Sequence, residues 1–259
     1  MPLIILLHSS KTMVTTEPTR ELTEPVFQEA ANELSEYLSE LPVEQFQKTM
    51  HISAKLAAEV EDLYVTRDEL PVSAAAEVFR GDIYSGLRAL EWNTDEKAFA
   101  QQHLKILSGL YGLLRPFDAI RPYRLELGYR LPETAYKDLY NYWSDRIAES
   151  LPSDGPIINV TSDEYAKAVL PFLDPARIIT PVFLTQKAVG QEPVFVVVHA
   201  KIARGAYARW LIKRGQPNVD SLEDFNDLGY VYSAERSAPQ QPVYVCKAFG
   251  GIGLSQRLT

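Results

Sequence analysis

Residues 104–129, with the sequence LKILSGLYGLLRPFDAIRPYRLELGY, bring together the residue types that anion-binding sites use. Gly109 and Gly112 bracket a short turn, and glycine lets a backbone adopt positive φ angles or approach a ligand closely. The arginines that follow are Arg115, Arg121 and Arg124. Guanidinium groups bind phosphate or carboxylate oxygens through paired hydrogen bonds, so the stretch predicts an anion site. The alternative is a packed turn whose arginines form surface ion pairs with Asp118 and Glu126.

Two tyrosines, Tyr111 and Tyr123, lie among these arginines. Aromatic rings beside cationic side chains stack on unpaired bases in nucleic-acid sites. We therefore expect the bound anion to carry a base, with both tyrosine rings available for stacking.

Further cations occur in two other places. Ser10 and Lys11 follow a short apolar run, where hydroxyls, a lysine and backbone N–H groups can surround an anion. A predicted helix in the last third of the chain carries Lys201, Arg204 and Arg209, an uneven cluster in an acidic chain. A polar loop and a solvated helix face are the alternatives. The functional hypothesis requires folding to gather these cations beside the glycine turn.

Two carboxylates lie at predicted changes of chain direction. Asp82 is flanked by glycines in a bent segment, and the alternative is that it caps a helix. Glu164 follows a predicted buried strand, in a strand–turn–helix arrangement that commonly presents a side chain to a ligand. In an enzyme, either carboxylate would serve as the acid or base. Lys11 or Lys201 would then be the nucleophile or the electrostatic partner.

The composition limits the class of protein. The 259 residues are 46% hydrophobic and 23% charged, as in an ordinary globular protein. A formal charge of −8 argues against non-specific nucleic-acid binding by the whole surface, but it permits a local basic cleft. The single cysteine, Cys246, excludes an internal disulfide, and the four scattered histidines lack metal-ligand spacing. We expect a cytoplasmic monomer with no cofactor, no metal and no membrane span.

Hydrophobic periodicity predicts a mixture of strands and helices. The predicted strands are residues 3–8, 156–160, 177–184, 193–199, 230–233 and 243–246. The predicted helices are residues 25–38, 43–50, 53–64, 74–79, 95–103, 134–151, 201–213 and 221–226. The third and fourth strands are expected to pair as a hairpin. Together these elements predict a mixed α/β (α+β) fold, a single domain over residues 1–259 with a sheet of five or six strands.

Several strings occur in a fixed order over nearly the whole chain. They are Ser10-Lys11-Thr12, FRGDIY at residues 79–84, SGLYGLLRPFDAIRPYRLELG at residues 108–128, Tyr142-Trp143, Ile158-Asn159, residues 162–165 and KIARG at residues 201–205. In type and order they resemble the bacterial peroxide stress protein YaaA family, and the central block is long and specific. The first string departs from the family pattern, because His8-Ser9 stands where a proline usually precedes the lysine.

The resemblance implies a cytoplasmic, single-domain protein with a positively charged cleft. It further implies binding to DNA, including distorted or junction-containing duplexes, through a helix-hairpin-helix element. By analogy that hairpin would lie at Gly109-Leu110-Tyr111-Gly112. The family is described as limiting DNA and protein oxidation during hydrogen peroxide stress by lowering unincorporated iron, so a role in iron homeostasis is implied as well.

Two functions stay open from the sequence. The first is a DNA-binding protein that protects against hydrogen peroxide stress, with the cations above lining one cleft. The second is an enzyme acting on a nucleobase, nucleoside or other small anionic substrate in the same cleft. A deep pocket holding a carboxylate and a lysine, too narrow for a duplex, would favour the enzyme. Direct chelation of iron is poorly supported, because one cysteine and dispersed histidines leave only carboxylates.

Overall fold

The first strand lies at the centre of the sheet on which the chain is built. The computed structural model describes residues 3–132, 136–188 and 190–250. The run Ile4–His8 forms strand β1, and every side chain in it is buried. A continuous apolar run of this kind suits a strand that is paired on both edges and covered on both faces.

Twelve strands follow one another in the described residues. They are β1 (Ile4–His8), β2 (Thr12–Met13), β3 (Ser73–Ala74), β4 (Phe79–Arg80), β5 (Leu104–Ser108), β6 (Gly112–Leu114), β7 (Ala119–Ile120), β8 (Ile157–Asn159), β9 (Ile178–Ile179), β10 (Val182–Thr185), β11 (Tyr230–Tyr232) and β12 (Val243–Cys246). The main sheet has the order β6-β5-β1-β8-β9, and a smaller sheet has the order β10-β12-β11. β1 is parallel to both β5 and β8, whereas β6 returns antiparallel to β5.

Helices fill the connections between these strands. They are α1 (Gln28–Ser39), α2 (Val43–Met50), α3 (Ala54–Val65), α4 (Ala75–Val78), α5 (Asp82–Leu87), α6 (Thr94–His103), α7 (Leu139–Trp143), α8 (Arg146–Glu149), α9 (Asp163–Ala166) and α10 (Val197–Arg214). Short 3₁₀ turns complete the described connections.

The order of the main sheet creates a crevice beyond the end of β1. The chain leaves β1 and returns on one side of it as β5, and later on the other side as β8. In open sheets, ligands bind outside the carboxyl ends of the strands at such a reversal of strand order. The segments that follow β1 and β8 are therefore the ones that the fold places in a binding position.

Helices α5 and α10 cross with their backbones in direct contact. A Cβ atom on Gly205 would lie 1.8 Å from the carbonyl oxygen of Ile83, and one on Gly86 would lie 2.1 Å from that of Ile202. Only glycine permits so close an approach. The crossing fixes the first turn of α5 beside the first half of α10, close to the end of β1.

The predicted mixed α/β fold with a sheet of five strands is confirmed. The predicted strands 3–8, 156–160 and 243–246 occur as β1, β8 and β12. The single domain over residues 1–259 stays a prediction.

The strand predicted over residues 193–199 is wrong. Helix α10 begins at Val197, and before it only Val194 pairs, through an isolated bridge to Thr185. The run of valines gave a strand pattern, but packing of α10 against α5 decides the conformation. The predicted hairpin is therefore reduced to that single bridge.

Two other predicted elements are divided. The strand predicted over residues 177–184 splits around Pro181, so that β9 joins the main sheet and β10 the smaller one. The helix predicted over residues 134–151 begins outside the described residues, since 133–135 are not described. Its described part is interrupted at Ser144, which has a positive φ of 47°.

The predicted helix-hairpin-helix does not occur at the paired glycines. Strands β5 and β6 flank them and form an antiparallel β-hairpin. A Cβ atom on Gly109 would lie 2.3 Å from the carbonyl oxygen of Leu125, and one on Gly112 would lie 2.7 Å from the Trp143 ring. The Trp143 indole N–H also donates to the Gly109 carbonyl at 3.0 Å. The glycines therefore serve packing of the hairpin.

Replacing Gly112 by alanine is expected to lower the free energy of unfolding by about 3 kcal/mol. The loss has two causes, the strain of a left-handed backbone conformation and overpacking. Its φ is 64°, and the new methyl group would meet Trp143. Gly215→Ala is the matched control, because Gly215 has a φ of 61° but open space around it. Denaturant unfolding of both variants separates strain from overpacking, and equal losses would contradict this account of Gly112.

Candidate functional site

A cavity of about 820 Å³ lies where the topology places a ligand. Residues 8–12 form the wall that follows β1, and residues 162–165 form the wall that follows β8. The start of α5 and the first half of α10 close the other sides. The volume falls within the range that small-molecule sites occupy, roughly 300–1,000 Å³.

Two cations of α10, Lys201 and Arg204, line this cavity. Among the described residues, neither makes a hydrogen bond or an ion pair. Burial lowers the pKa of the Arg204 guanidinium, and the charge of Asp163 only partly opposes that effect. A desolvated cation without an ion pair is costly, so these two side chains offer positive charge to an anion that enters the cavity.

His8, the last residue of β1, is a neutral donor in the same cavity. Burial first, and then the charges of Arg204 and Lys201, lower the pKa of His8 to about 3. Its Nδ1 accepts a hydrogen bond from the Ser162 backbone N–H at 3.3 Å, which leaves the proton on Nε2. The imidazole stacks on Tyr165 at a centroid distance of 4.9 Å, so its orientation is fixed.

The lining of the cavity also includes a hydrogen-bonded ion pair. Lys11 Nζ lies 3.0 Å from a carboxylate oxygen of Glu126, whose other oxygen accepts from the Tyr165 hydroxyl at 3.4 Å. That hydroxyl also lies 3.1 Å from the hydroxyl of Ser9. Burial alone would lower the pKa of Lys11, but the hydrogen bond and charge of Glu126 raise it overall. Lys11 is therefore a stable ammonium, suited to electrostatic work and not to nucleophilic attack.

The two predicted carboxylates also line the cavity. Asp82 is the first residue of α5, and Gly81 before it has a φ of 115°, so Asp82 is not the helix cap. Glu164 follows β8, and its carboxylate accepts the backbone N–H of Gly128 at 3.0 Å. Both carboxylates are within the space that a bound molecule would fill.

The structure brings only part of the predicted set together. The predicted residues that line the cavity are Ser10, Lys11, Asp82, Glu164, Lys201 and Arg204. The predicted residues that do not line it are Gly109, Tyr111, Gly112, Arg115, Arg121, Tyr123, Arg124 and Arg209. The predicted cations therefore do not all line one cavity, and those that do lie beside β1 and on α10.

Two of the outlying arginines are already paired. Arg115 forms a salt bridge of 2.9 Å with Asp118, as the alternative interpretation of the sequence had it. Arg209 lies 3.0 Å from a carboxylate oxygen of Glu91. Each pairing removes a guanidinium from the set available to an external anion.

The tyrosines expected to stack on bases are buried. Tyr111 is 1% exposed and Tyr123 is 5% exposed, and the two rings contact each other edge to face at 5.4 Å. The Tyr123 hydroxyl lies 2.7 Å from that of Ser108. Because both rings are enclosed by the protein, the stacking prediction is corrected to a packing role.

Among the cavity residues that sequence reasoning missed are His8, Glu126 and Tyr165. His8 was interpreted as an ordinary histidine, although its position at the end of a buried strand is one where side chains commonly face a ligand. Glu126 stands between Leu125 and Leu127, both buried, and this alternation predicts an outward carboxylate, so it did not indicate a place in the cavity. No sequence pattern indicated that Tyr165 would stack on His8.

Two further observations concern the described residues only. In residues 3–132, 136–188 and 190–250, no three His, Cys, Asp or Glu side chains are grouped so as to hold a metal ion. Within the same ranges, no helix is both long and apolar enough to cross a membrane.

Comparison with known proteins finds relatives over nearly the whole chain. Residues 3–236 match the family model for the peroxide stress protein YaaA. A UPF0246 protein of Salinispora tropica is 46% identical over 258 residues, covering 98% of each chain. UPF0246 proteins of Roseobacter denitrificans and Ruegeria pomeroyi are each 38% identical over 253 residues, covering 94% of this chain and 98% of theirs.

Proposed function

The chain belongs to the YaaA peroxide stress protein family, and from the lining of its cavity we propose that it binds a small anionic molecule and acts on it as an enzyme. The site is the cavity beyond β1 and β8. Its volume suits a metabolite and is too small for a duplex. Of the two functions that the sequence left open, the geometry favours this one.

One observation carries the proposal. Lys201 and Arg204 line the cavity of a chain with net charge −8, and neither side chain forms an ion pair among the described residues. Surface cations of an acidic protein readily find carboxylates, as Arg115 and Arg209 do. Cations left unpaired in a concave site are explained by a ligand that supplies the negative charge.

The facing side chains supply acid–base chemistry. Asp82 and Glu164 are carboxylates within the same cavity as the cations, so either can accept a proton from a bound molecule. Lys11, held as an ammonium by Glu126, stabilises negative charge that develops on the reacting group. Lys201 and Arg204 hold the substrate's anion while this occurs.

Isothermal titration of small anions into the full chain tests the proposal. The panel is inorganic phosphate, sulfate and short dicarboxylates. We expect at least one to bind, and Lys201→Met to weaken that binding about tenfold or more. Lys213→Met is the matched control, because Lys213 is an exposed lysine of the same helix outside the cavity. Anions that bind both variants alike, or none that binds at all, would contradict the proposal.

DNA binding is the second candidate, and the exposure of Lys11 and Lys201 at the cavity supports it. A phosphate of a bent or branched strand would reach these two ammonium groups from solvent. If DNA is the ligand, affinity for a junction falls steeply with salt, and Lys201→Met lowers the salt slope by about one. Affinity that is indifferent to salt, or absent at low salt, would argue against DNA.

The thiol of Cys246 is not expected to sense peroxide. Its side chain is fully buried, and burial raises its pKa, so little reactive thiolate forms. We expect a sulfenic-acid probe to leave the native chain unlabelled in dilute hydrogen peroxide and to label the chain unfolded in urea. Rapid labelling of the native chain would show that this account of the thiol is wrong.

A further inference from the structure

Resting on the proposed function, we infer that the ligand is a phosphate monoester whose organic part carries hydroxyl groups and an aromatic ring, a molecule of the nucleoside monophosphate class. Three chemically different groups of side chains line the cavity: N–H donors, carboxylates and apolar side chains. Each group suits one part of such a molecule.

The N–H donors of the lining match a phosphate dianion. Lys201 and Arg204 contribute two formal positive charges and several N–H donors, and His8 adds a neutral Nε2–H. A phosphate monoester carries nearly two negative charges at neutral pH and three acceptor oxygens. A carboxylate carries one charge and two oxygens, so it would leave a cation and a donor unsatisfied. Asp163 also lines the cavity and its charge acts on Arg204, but the two side chains form no ion pair.

The carboxylates of the lining favour a ligand with one anionic group. Asp82, Glu126 and Glu164 line the cavity, Lys11 is already paired with Glu126, and Arg80 donates to the backbone carbonyls of Glu77 and Phe79. A second phosphate would meet these carboxylates and be repelled. Hydroxyl groups suit the position, because carboxylate oxygens accept their hydrogen bonds. A sugar-like segment next to a single terminal phosphate therefore fits, whereas a polyphosphate chain does not.

Part of the cavity lining is apolar surface that is exposed to solvent. Phe195 is 52% exposed and Val197 is 55% exposed, and both line the cavity together with buried Ile83. Phe195 precedes α10, so its ring lies near the helix that carries the two cations. An aromatic ring at the far end of the ligand would cover this surface by stacking. Without such a ring, the exposed phenyl group has no partner in the described cavity.

Titration calorimetry with three matched ligands tests the inference: adenosine 5′-monophosphate, adenosine 5′-monosulfate and adenosine. The sulfate ester has the same shape with one charge fewer. We expect it to bind about tenfold more weakly than the phosphate, and adenosine to bind about 100-fold more weakly.

Phe195→Ala should weaken the monophosphate about tenfold and leave binding of inorganic phosphate unchanged. Phe172→Ala is the control, because Phe172 is 50% exposed and lies outside the cavity. Equal affinities for the phosphate and sulfate esters, or a Phe195→Ala variant that binds like wild type, would overturn the inference. If dicarboxylates bind through Lys201 and the monophosphate does not, the inference is overturned and the proposed function stands. If no small anion binds, both are overturned.

Discussion

Replacing Gly205 by alanine is expected to lower the free energy of unfolding by about 3 kcal/mol and to abolish anion binding. The new methyl carbon would lie 1.8 Å from the Ile83 carbonyl oxygen, so α5 and α10 must separate. Helix propensity favours alanine by only about 1 kcal/mol, which does not offset overpacking of two backbones. Separation also moves Asp82 away from Lys201, and the cavity is assembled from both helices. Denaturant unfolding and phosphate titration measure the two effects.

The reciprocal contact supplies a second variant for the same prediction. Gly86→Ala should behave like Gly205→Ala, because a methyl group there meets the Ile202 carbonyl oxygen from the other side. Lys213→Ala, an exposed change on α10, should alter the unfolding free energy by less than about 0.5 kcal/mol. A Gly205→Ala protein as stable as wild type would show that the two helices do not cross as described.

Replacing Arg204 by methionine is expected to reduce phosphate affinity about 100-fold without loss of stability. Methionine keeps most of the side-chain volume and removes a desolvated charge that no ion pair compensates among the described residues. We expect the free energy of unfolding of the unliganded protein to stay unchanged or rise by about 1 kcal/mol. Titration calorimetry and urea unfolding of one preparation give both values.

Arg177 provides the contrasting control for Arg204. Its guanidinium donates to the backbone carbonyls of Pro152, Asp154 and Gly155 at 2.7–2.8 Å, so it holds a loop together. Arg177→Met should therefore lower stability by about 1–3 kcal/mol and leave phosphate affinity unchanged. If Arg204→Met destabilises the protein as Arg177→Met does, Arg204 is a structural arginine and its assignment to ligand binding fails.

Local sequence pattern was sufficient for much of the fold. The buried run of β1 is apolar throughout, and the helices over residues 43–50 and 54–65 show the spacing expected of them. Sequence pattern failed to predict the conformation where long-range packing determines it. The valines before α10 favour a strand locally, but the glycine contact with α5 sets a helix there. Strand order was not readable either, because pairing of β1 with β8 joins residues far apart in sequence.

Many residues of the site could be selected by their type, but the location of the site in the fold could not be predicted. Lys11, Asp82, Glu164, Lys201 and Arg204 were all selected, and the structure gathers them in one cavity. The glycine and arginine block was the most conspicuous feature of the sequence, yet its glycines and tyrosines pack inside the protein and Arg115 pairs with Asp118. Local sequence shows that an arginine is present but not whether a carboxylate such as Asp118 or Glu91 will fold against it. That information is held only by the tertiary structure.

Crystals of the full chain soaked in tungstate provide the most direct measurement of the central claim. Tungstate is a tetrahedral dianion, and its anomalous scattering locates it without reference to any assumed ligand. We predict the strongest anomalous peak inside the cavity, within hydrogen-bond distance of Lys201 Nζ and the Arg204 guanidinium. Peaks confined to other arginines on the surface, with the cavity empty at saturating tungstate, would contradict the claim that these unpaired cations form an anion site.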